Sequence, residues 1–138
     1  MTDTFCILPW IHLATRPNGD VRVCCTANAS GAGVDDIKDA GLVKKDGQAM
    51  NLRNYTIEEV WNSDKMKSIR KKMLNGELLK ECSRCNDTSI NPTPYRDYWN
   101  LQYEWHIENL IKNTSEDGTY NTLPRVLDYR TNVCKIGR

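Results

Sequence analysis

Apolar residues near the N-terminus are spaced as in a β-strand. The strand-like positions are Ile7, Leu8, Trp10, Ile11 and Leu13. A Pro-Asn-Gly turn at 17–19 follows, and the chain returns through alternating valines over 21–25. This pattern predicts a β-hairpin that brings Cys6 close to Cys24.

Two helical segments are predicted in the middle of the chain. Thr56 and Glu59 have the spacing of a capping box, which starts a short helix through Trp61. Asp64 can cap a second helix that stops at Gly76. Its apolar stripe, predicted to be core, is formed by Met66, Ile69, Met73 and Leu74. Its basic residues, predicted to form a solvated face, are Lys65, Lys67, Arg70, Lys71 and Lys72.

The remaining pattern predicts a third helix, a strand and a loop. Thr93 can cap a helix of about five turns over 94–113. Its stripe, predicted to be a packing surface rather than a substrate platform, contains Tyr95, Tyr98, Trp99, Gln102, Trp105 and His106. Residues 125–130 have strand-like composition. Residues 26–55 lack periodicity, which predicts a long loop or insertion.

Composition narrows the classes of function. A chain of 138 residues is expected to form about one domain with a core. Nineteen basic and eighteen acidic residues give a net charge of +1, which favours neither nucleic acid nor an anionic membrane as a partner. The N-terminus has no signal-peptide pattern, so the expected location is the cytoplasm.

The six cysteines point to a metal. In a reducing cytosol, metal ligation is favoured over three disulfides. Cys82 and Cys85 form a Cys-x-x-Cys clip whose two sulfurs can reach one metal centre, as in zinc knuckles and iron–sulfur sites. A thioredoxin-like redox pair is disfavoured because no βαβ pattern surrounds the clip. Spacing alone leaves zinc and iron–sulfur open.

Strand parity distinguishes the two adjacent cysteines. Val21, Val23 and Cys25 would share one face of the returning strand, which predicts that Cys25 is a small buried apolar residue. Cys24 would point to the other face and is predicted to be the ligand. His12, like the histidine of the third helix, is predicted to be a surface or satisfied core residue and not a ligand.

Four segments in the same order resemble a known family. They are Phe-Cys-Ile-Leu-Pro-Trp-Ile-His at 5–12, Val-Cys-Cys at 23–25, Glu-Val-Trp-Asn-Ser at 59–63 and Ile-Arg-Lys-Lys-Met-Leu-Asn-Gly-Glu at 69–77. Together with the clip, they resemble the SPASM and twitch domains, the auxiliary iron–sulfur domains of radical S-adenosylmethionine enzymes. The resemblance covers about residues 5–86.

The resemblance implies that Cys6, Cys24, Cys82 and Cys85 hold one auxiliary four-iron four-sulfur cluster. SPASM domains continue with two further cysteines and hold two clusters, whereas residues 86–91 contain no cysteine. One cluster is therefore expected, as in a twitch domain. The alternative is a free-standing four-cysteine zinc module with a structural or interaction role.

The C-terminal residues resemble the start of a radical S-adenosylmethionine core. Residues 128–134 are similar to its first barrel strand, which ends at the first cluster cysteine, Cys134. The family pattern would place the next cysteine at position 138, where this chain has Arg138. The resemblance therefore implies a truncated protein in which Cys134 is vestigial. S-adenosylmethionine would be used only by a full-length relative.

The fold class expected from all of this is α+β. Residues 1–90 would be the hairpin-based auxiliary cluster domain, 91–122 a helical linker and 123–138 the first strand and cysteine of an incomplete barrel. No catalytic residue is assigned and no activity is expected of this chain alone. The sequence leaves open whether the substrate of a full-length relative is a peptide or a small molecule.

Overall fold

A computed structural model of the protein describes residues 4–24, 41–86 and 94–128. Within them the fold is mixed α+β, with two small sheets. The strands are β1 (His12–Thr15), β2 (Val21–Arg22), β3 (Lys44–Lys45), β4 (Gln48–Ala49) and β5 (Val126–Asp128). The helices are α1 (Leu8–Ile11), α2 (Ile57–Trp61), α3 (Asp64–Leu74), α4 (Ser83–Asn86), α5 (Tyr95–Gln102) and α6 (Glu104–Lys112). A 3₁₀ turn, Lys80–Cys82, directly precedes α4.

The N-terminal segment begins as a helical turn, so the prediction of strand over 8–11 is wrong. Pro9 lies in the first turn of α1, where its fixed φ suits a helix and its missing N–H has no intrahelical partner to lose. The chain becomes extended only at His12. There β1 pairs antiparallel with β2 in the register Ala14 to Arg22 and Thr15 to Val21.

The strand near the C-terminus completes the larger sheet. β5 pairs in parallel with β1, in the register His12 to Val126, Leu13 to Leu127 and Ala14 to Asp128, and the sheet order is β2-β1-β5. The predicted strand residues 129 and 130 lie outside the described part. That β5 begins a barrel stays a prediction.

A second hairpin occupies part of the predicted loop. β3 and β4 pair antiparallel around Asp46 and Gly47, whose φ angles of 54° and 80° are those of a type I′ turn. This hairpin extends the first one, because Val21 donates to the Met50 carbonyl at 2.9 Å. The loop prediction is therefore wrong for 44–49, and residues 25–40 lie outside the described part.

The capping box at the start of α2 is confirmed. The Thr56 hydroxyl accepts from the Glu59 N–H at 3.1 Å, and the Glu59 carboxylate accepts from the Thr56 N–H at 2.9 Å. α3 follows almost at once, but its N-cap residue is Ser63 and Asp64 lies in its first turn. An acidic residue in that turn still stabilises the helix through its dipole.

The third predicted helix is two helices. Tyr103 lies between α5 and α6 with φ −117° and ψ 23°, outside the helical region, and its ring stacks on Trp99 at 6.0 Å. Pro94 is the N-cap residue of α5, and Thr93 lies outside the described part. None of the helices in the described ranges has both the length and the apolar character needed to span a bilayer.

Among the described residues, the core is one apolar cluster that includes residues from the predicted linker. Ile107 and Leu110 of α6 are buried in the same cluster as Trp10 and Trp61. The Trp10 indole N–H donates to the Thr114 hydroxyl at 2.8 Å, which ties α1 to the end of α6. The division of the chain at residues 90 and 122 stays a prediction.

Arg70 corrects the prediction of a wholly solvated basic face on α3. Its side chain is fully buried, and its guanidinium donates to the carbonyls of Pro9, Trp61 and Gly118 at 2.7 to 3.1 Å and to the Asn62 side chain at 3.0 Å. The guanidinium also lies 4.5 Å from the centre of the Trp61 ring. Burial lowers the pKa of Arg70 to about 10, so the group remains charged at neutral pH.

Two glycines with positive φ provide a matched test of this packing. A Cβ on Gly118 would lie 2.0 Å from the Lys67 carbonyl oxygen, whereas a Cβ on Gly47 would meet nothing within 4 Å. Gly118→Ala should lower the free energy of unfolding by about 3 kcal/mol, because both backbone strain and overpacking oppose it. Gly47→Ala, with strain alone, should cost about 1 kcal/mol. Urea unfolding of both variants checks this, and equal losses would contradict the described contact.

Candidate metal centre

Four cysteines from three parts of the chain are described. Cys6 is buried just before α1, and Cys24 is half-buried just after β2. Cys82 ends the 3₁₀ turn and is half-buried, whereas Cys85 is buried within α4. All four are thiols and not disulfides. The chain thus presents four soft sulfur donors: one before α1, one after β2 and two in the clip.

The pKa values of two of these thiols are raised by burial and by other cysteines. Burial raises the pKa of Cys6 well above its ordinary value, a backbone hydrogen bond from Leu8 opposes this, and the other three cysteines raise it further. Burial also raises the pKa of Cys82 to about 12, with further contributions from Cys24 and Cys85. Such thiols stay protonated at neutral pH unless a cation stabilises the thiolate, and metal coordination does so.

The thiols are not arranged as a metal coordination shell in this structure. Across 4–24, 41–86 and 94–128, no group of three or more His, Cys, Asp or Glu side chains is arranged to hold a metal ion. Cys25 and Cys134 lie outside those ranges. The structure therefore gives no position for either, and the parity argument for Cys24 over Cys25 stays a prediction.

Asn100 fixes the backbone around Cys6. Its side-chain oxygen accepts from the Ile7 N–H and its amide nitrogen donates to the Phe5 carbonyl, both at 2.8 Å. The N–H of Cys6 itself donates to the sulfur of Met73 at 3.1 Å. α5 and α3 together hold the segment that carries the first thiol.

The clip is fixed on two sides. Glu81, next to Cys82, is buried and forms an ion pair with Lys65 of α3 at 2.7 Å. The Asn86 amide donates to the Leu79 carbonyl at 3.3 Å, which closes the turn from the other end. The clip is therefore tied to α3 through Glu81.

Arg96 brings a positive charge to the site. It lies on α5, is 8% exposed and donates from a terminal nitrogen to the Asn86 side-chain oxygen at 2.7 Å. Its charge lowers the pKa of Cys82, against the larger effect of burial. Its Nε is buried and has no hydrogen-bond partner among the described residues.

Sequence reasoning missed Arg96 and Asn100. They stand four residues apart on α5, so they share the helix face that meets the cysteines. The sequence does show two polar residues four positions apart among aromatic residues, which could have marked a polar contact surface on the helix. This pattern does not indicate which element that surface would contact.

His12 is a core residue, but the prediction of a satisfied core histidine is wrong in part, because one ring nitrogen has no described partner. It is 1% exposed, and its Nδ1 is buried without a partner in the described part of the chain. Burial lowers the pKa of His12, and Asp128 partly opposes this. The Trp99 ring lies 6.2 Å away, and its indole N–H is likewise buried without a described partner.

The aromatic stripe of α5 and α6 packs only in part. Trp99 and Tyr103 pack against the core, whereas Tyr98 is 56% and Trp105 68% exposed. The prediction that the whole stripe is a packing surface is therefore wrong for these two residues and for Gln102, which is also exposed. The break at Tyr103 removes the common helical face that the prediction assumed.

Comparison with known proteins decides the family. The family model of the SPASM iron–sulfur cluster-binding domain matches residues 6–86, more than half of the chain. The chain belongs to the SPASM family. The match begins at Cys6 and ends one residue after Cys85, so it contains all four described thiols of this SPASM domain. No curated protein and no solved structure matched the chain significantly.

The residues present fit an iron–sulfur cluster. Such clusters are held by four cysteine thiolates. This SPASM domain has four described cysteines, the soft ligand type that iron–sulfur clusters take, and three of them raise the pKa of the fourth, Cys6. The unpartnered N–H of Arg96 adds a donor that sulfur can accept. The domain thus offers soft ligands, burial and a compensating charge.

Proposed function

We propose that this SPASM domain holds one auxiliary four-iron four-sulfur cluster through Cys6, Cys24, Cys82 and Cys85. The single observation that carries the proposal is that the SPASM match over residues 6–86 contains all four described thiols, which come from segments up to 79 residues apart. Family membership favours iron and sulfide over zinc. Clusters of this type supply one-electron redox chemistry when bound.

A single cluster is proposed because the chain offers one set of ligands. After Cys85, the next cysteine is Cys134, 49 residues later. The four proposed ligands would therefore serve one centre. The protein's part is to exclude water from Cys6 and Cys85, to tie the clip to α3 through the Lys65–Glu81 ion pair and to hold the segment around Cys6 against α5.

The wider proposal is that the domain serves a radical S-adenosylmethionine protein. The support is the resemblance of residues 128–134 to the first strand and first cluster cysteine of that core. β5 ends at Asp128, where this segment begins. An auxiliary cluster in such a protein would sit beside a second centre that binds S-adenosylmethionine.

Anaerobic purification tests the proposed cluster. A chain produced with iron and sulfide available should be brown, with broad visible absorption that bleaches on reduction by dithionite, because iron–thiolate and iron–sulfide bonds absorb visible light. Zinc has a filled d shell and gives no such absorption. A colourless chain loaded with zinc under the same conditions would overturn the proposal in favour of the zinc module.

This 138-residue chain should not cleave S-adenosylmethionine. That reaction needs three thiolates that leave one iron open, and only Cys134 stands at a matching position in these 138 residues. A reconstituted and reduced sample should therefore form no 5′-deoxyadenosine above the level of a no-protein control. Repeated turnover that disappears in Cys134→Ser would contradict this prediction.

A further inference from the structure

The environment of Arg96 contains an unusual combination. A buried guanidinium on α5 uses one terminal nitrogen to reach a neutral amide, Asn86, at 2.7 Å. The structure describes no ion pair for Arg96, and its buried Nε has no described acceptor. A buried N–H without an acceptor costs about 1 to 3 kcal/mol, so such a donor points to an acceptor that completes the site.

The groups near Arg96 belong to the proposed cluster site. Arg96 interacts electrostatically with the Cys82 thiol, and Asn86, to which it is bonded, directly follows Cys85. The neighbouring carboxylate, Glu81, is already paired with Lys65 at 2.7 Å. The bond to Asn86 therefore places the Arg96 guanidinium beside the end of the Cys-x-x-Cys clip.

We propose that Arg96 donates a hydrogen bond through Nε to a sulfur of the bound cluster and that its charge raises the reduction potential of that cluster. This inference rests on the proposed function. Reduction adds one negative charge to the cluster, and a nearby buried cation stabilises the reduced form more than the oxidised form. Hydrogen bonds to sulfur and local net charge both set iron–sulfur potentials. Arg96 is thus a tuning residue and not a ligand.

The test is a potentiometric titration of the reconstituted full chain. Arg96→Gln should keep the iron of the wild type but lower the equilibrium constant for one-electron reduction about tenfold, a shift of about 59 mV to more negative potential. Arg96→Lys keeps the charge but replaces the planar donor, so it should shift the reduction potential in the same direction by a smaller amount. Lys112→Gln removes one charge from the exposed end of α6 and is the matched control. Its potential should stay at the wild-type value.

A spectroscopic readout separates tuning from a structural role. Iron–sulfur stretching frequencies in resonance Raman spectra should shift on transfer to D₂O, and this shift should be smaller in Arg96→Gln.

Iron-loaded Arg96→Gln with the potential of the Lys112→Gln control would overturn the inference and leave the proposed function intact. A wild-type chain that takes up no iron would instead contradict the proposed function. If Arg96→Gln fails to hold iron, the test uses Arg96→Lys instead. An Arg96→Lys protein with the wild-type reduction potential and the wild-type D₂O shift would overturn the inference.

Discussion

Replacing either thiol of the clip should abolish cluster binding. Cys82→Ser and Cys85→Ser should each lower the apparent affinity for the cluster by more than about 100-fold, because even loss of an outer-shell partner costs about 10 to 100-fold. Folding should suffer as well, since structural zinc in small domains supplies roughly 10 to 16 kcal/mol of apparent binding free energy. Bound iron per chain and the free energy of unfolding, measured on anaerobic samples, check both effects.

Cys25 provides the matched control for these variants. Parity along the returning strand predicts that Cys25→Ser keeps the iron and loses only about 1 to 2 kcal/mol of stability, because a hydroxyl replaces a buried apolar thiol. Cys24→Ser should behave like the clip variants. Equal iron loss from Cys24→Ser and Cys25→Ser would show that the parity argument is wrong. Full iron retention in Cys82→Ser would contradict its assignment as a ligand.

Arg70→Met should be among the most destabilising substitutions in the chain. The guanidinium satisfies the buried carbonyls of Pro9, Trp61 and Gly118, which would all lose their donor. Breaking a buried charged network of this kind costs about 3 to 5 kcal/mol. For a domain of this size, this corresponds to a fall in Tm of roughly 10 °C or more.

Lys71→Met is the appropriate comparison for Arg70→Met. Lys71 is the next residue on α3, carries the same charge and is exposed. Its replacement should change the free energy of unfolding by less than about 0.5 kcal/mol. Urea unfolding of the two variants at one pH and one salt concentration gives the difference. If the free energies of unfolding of both variants lie within about 1 kcal/mol of the wild-type value, the buried network contributes little to stability.

Local signals predicted the parts of the fold that depend on neighbouring residues. The capping box needs only Thr56 and Glu59, three positions apart, and both of its hydrogen bonds are present. The Asp-Gly turn of β3 and β4 was equally local and was predictable, since Asp-Gly favours a type I′ hairpin turn. It was missed because the flanking strands have two residues each and show no alternation.

The features that the sequence did not predict depend on packing between residues far apart in the chain. Arg70 has the composition of a surface residue, and only its four distant acceptors make its burial possible. The break at Tyr103 contains neither Gly nor Pro. At the site, the Cys-x-x-Cys clip was predictable from spacing. The contributions of Arg96 and Asn100 depend on which helix packs against the cysteines, and periodicity carries no information about that.

Iron and acid-labile sulfide per chain, measured together on the anaerobically reconstituted protein, test the central claim most directly. The account predicts about four irons and four sulfides per chain, since one cubane cluster takes all four thiolates. It also predicts that both numbers fall together in Cys85→Ser. About one zinc per chain with no sulfide, held by the same four cysteines, would contradict the account.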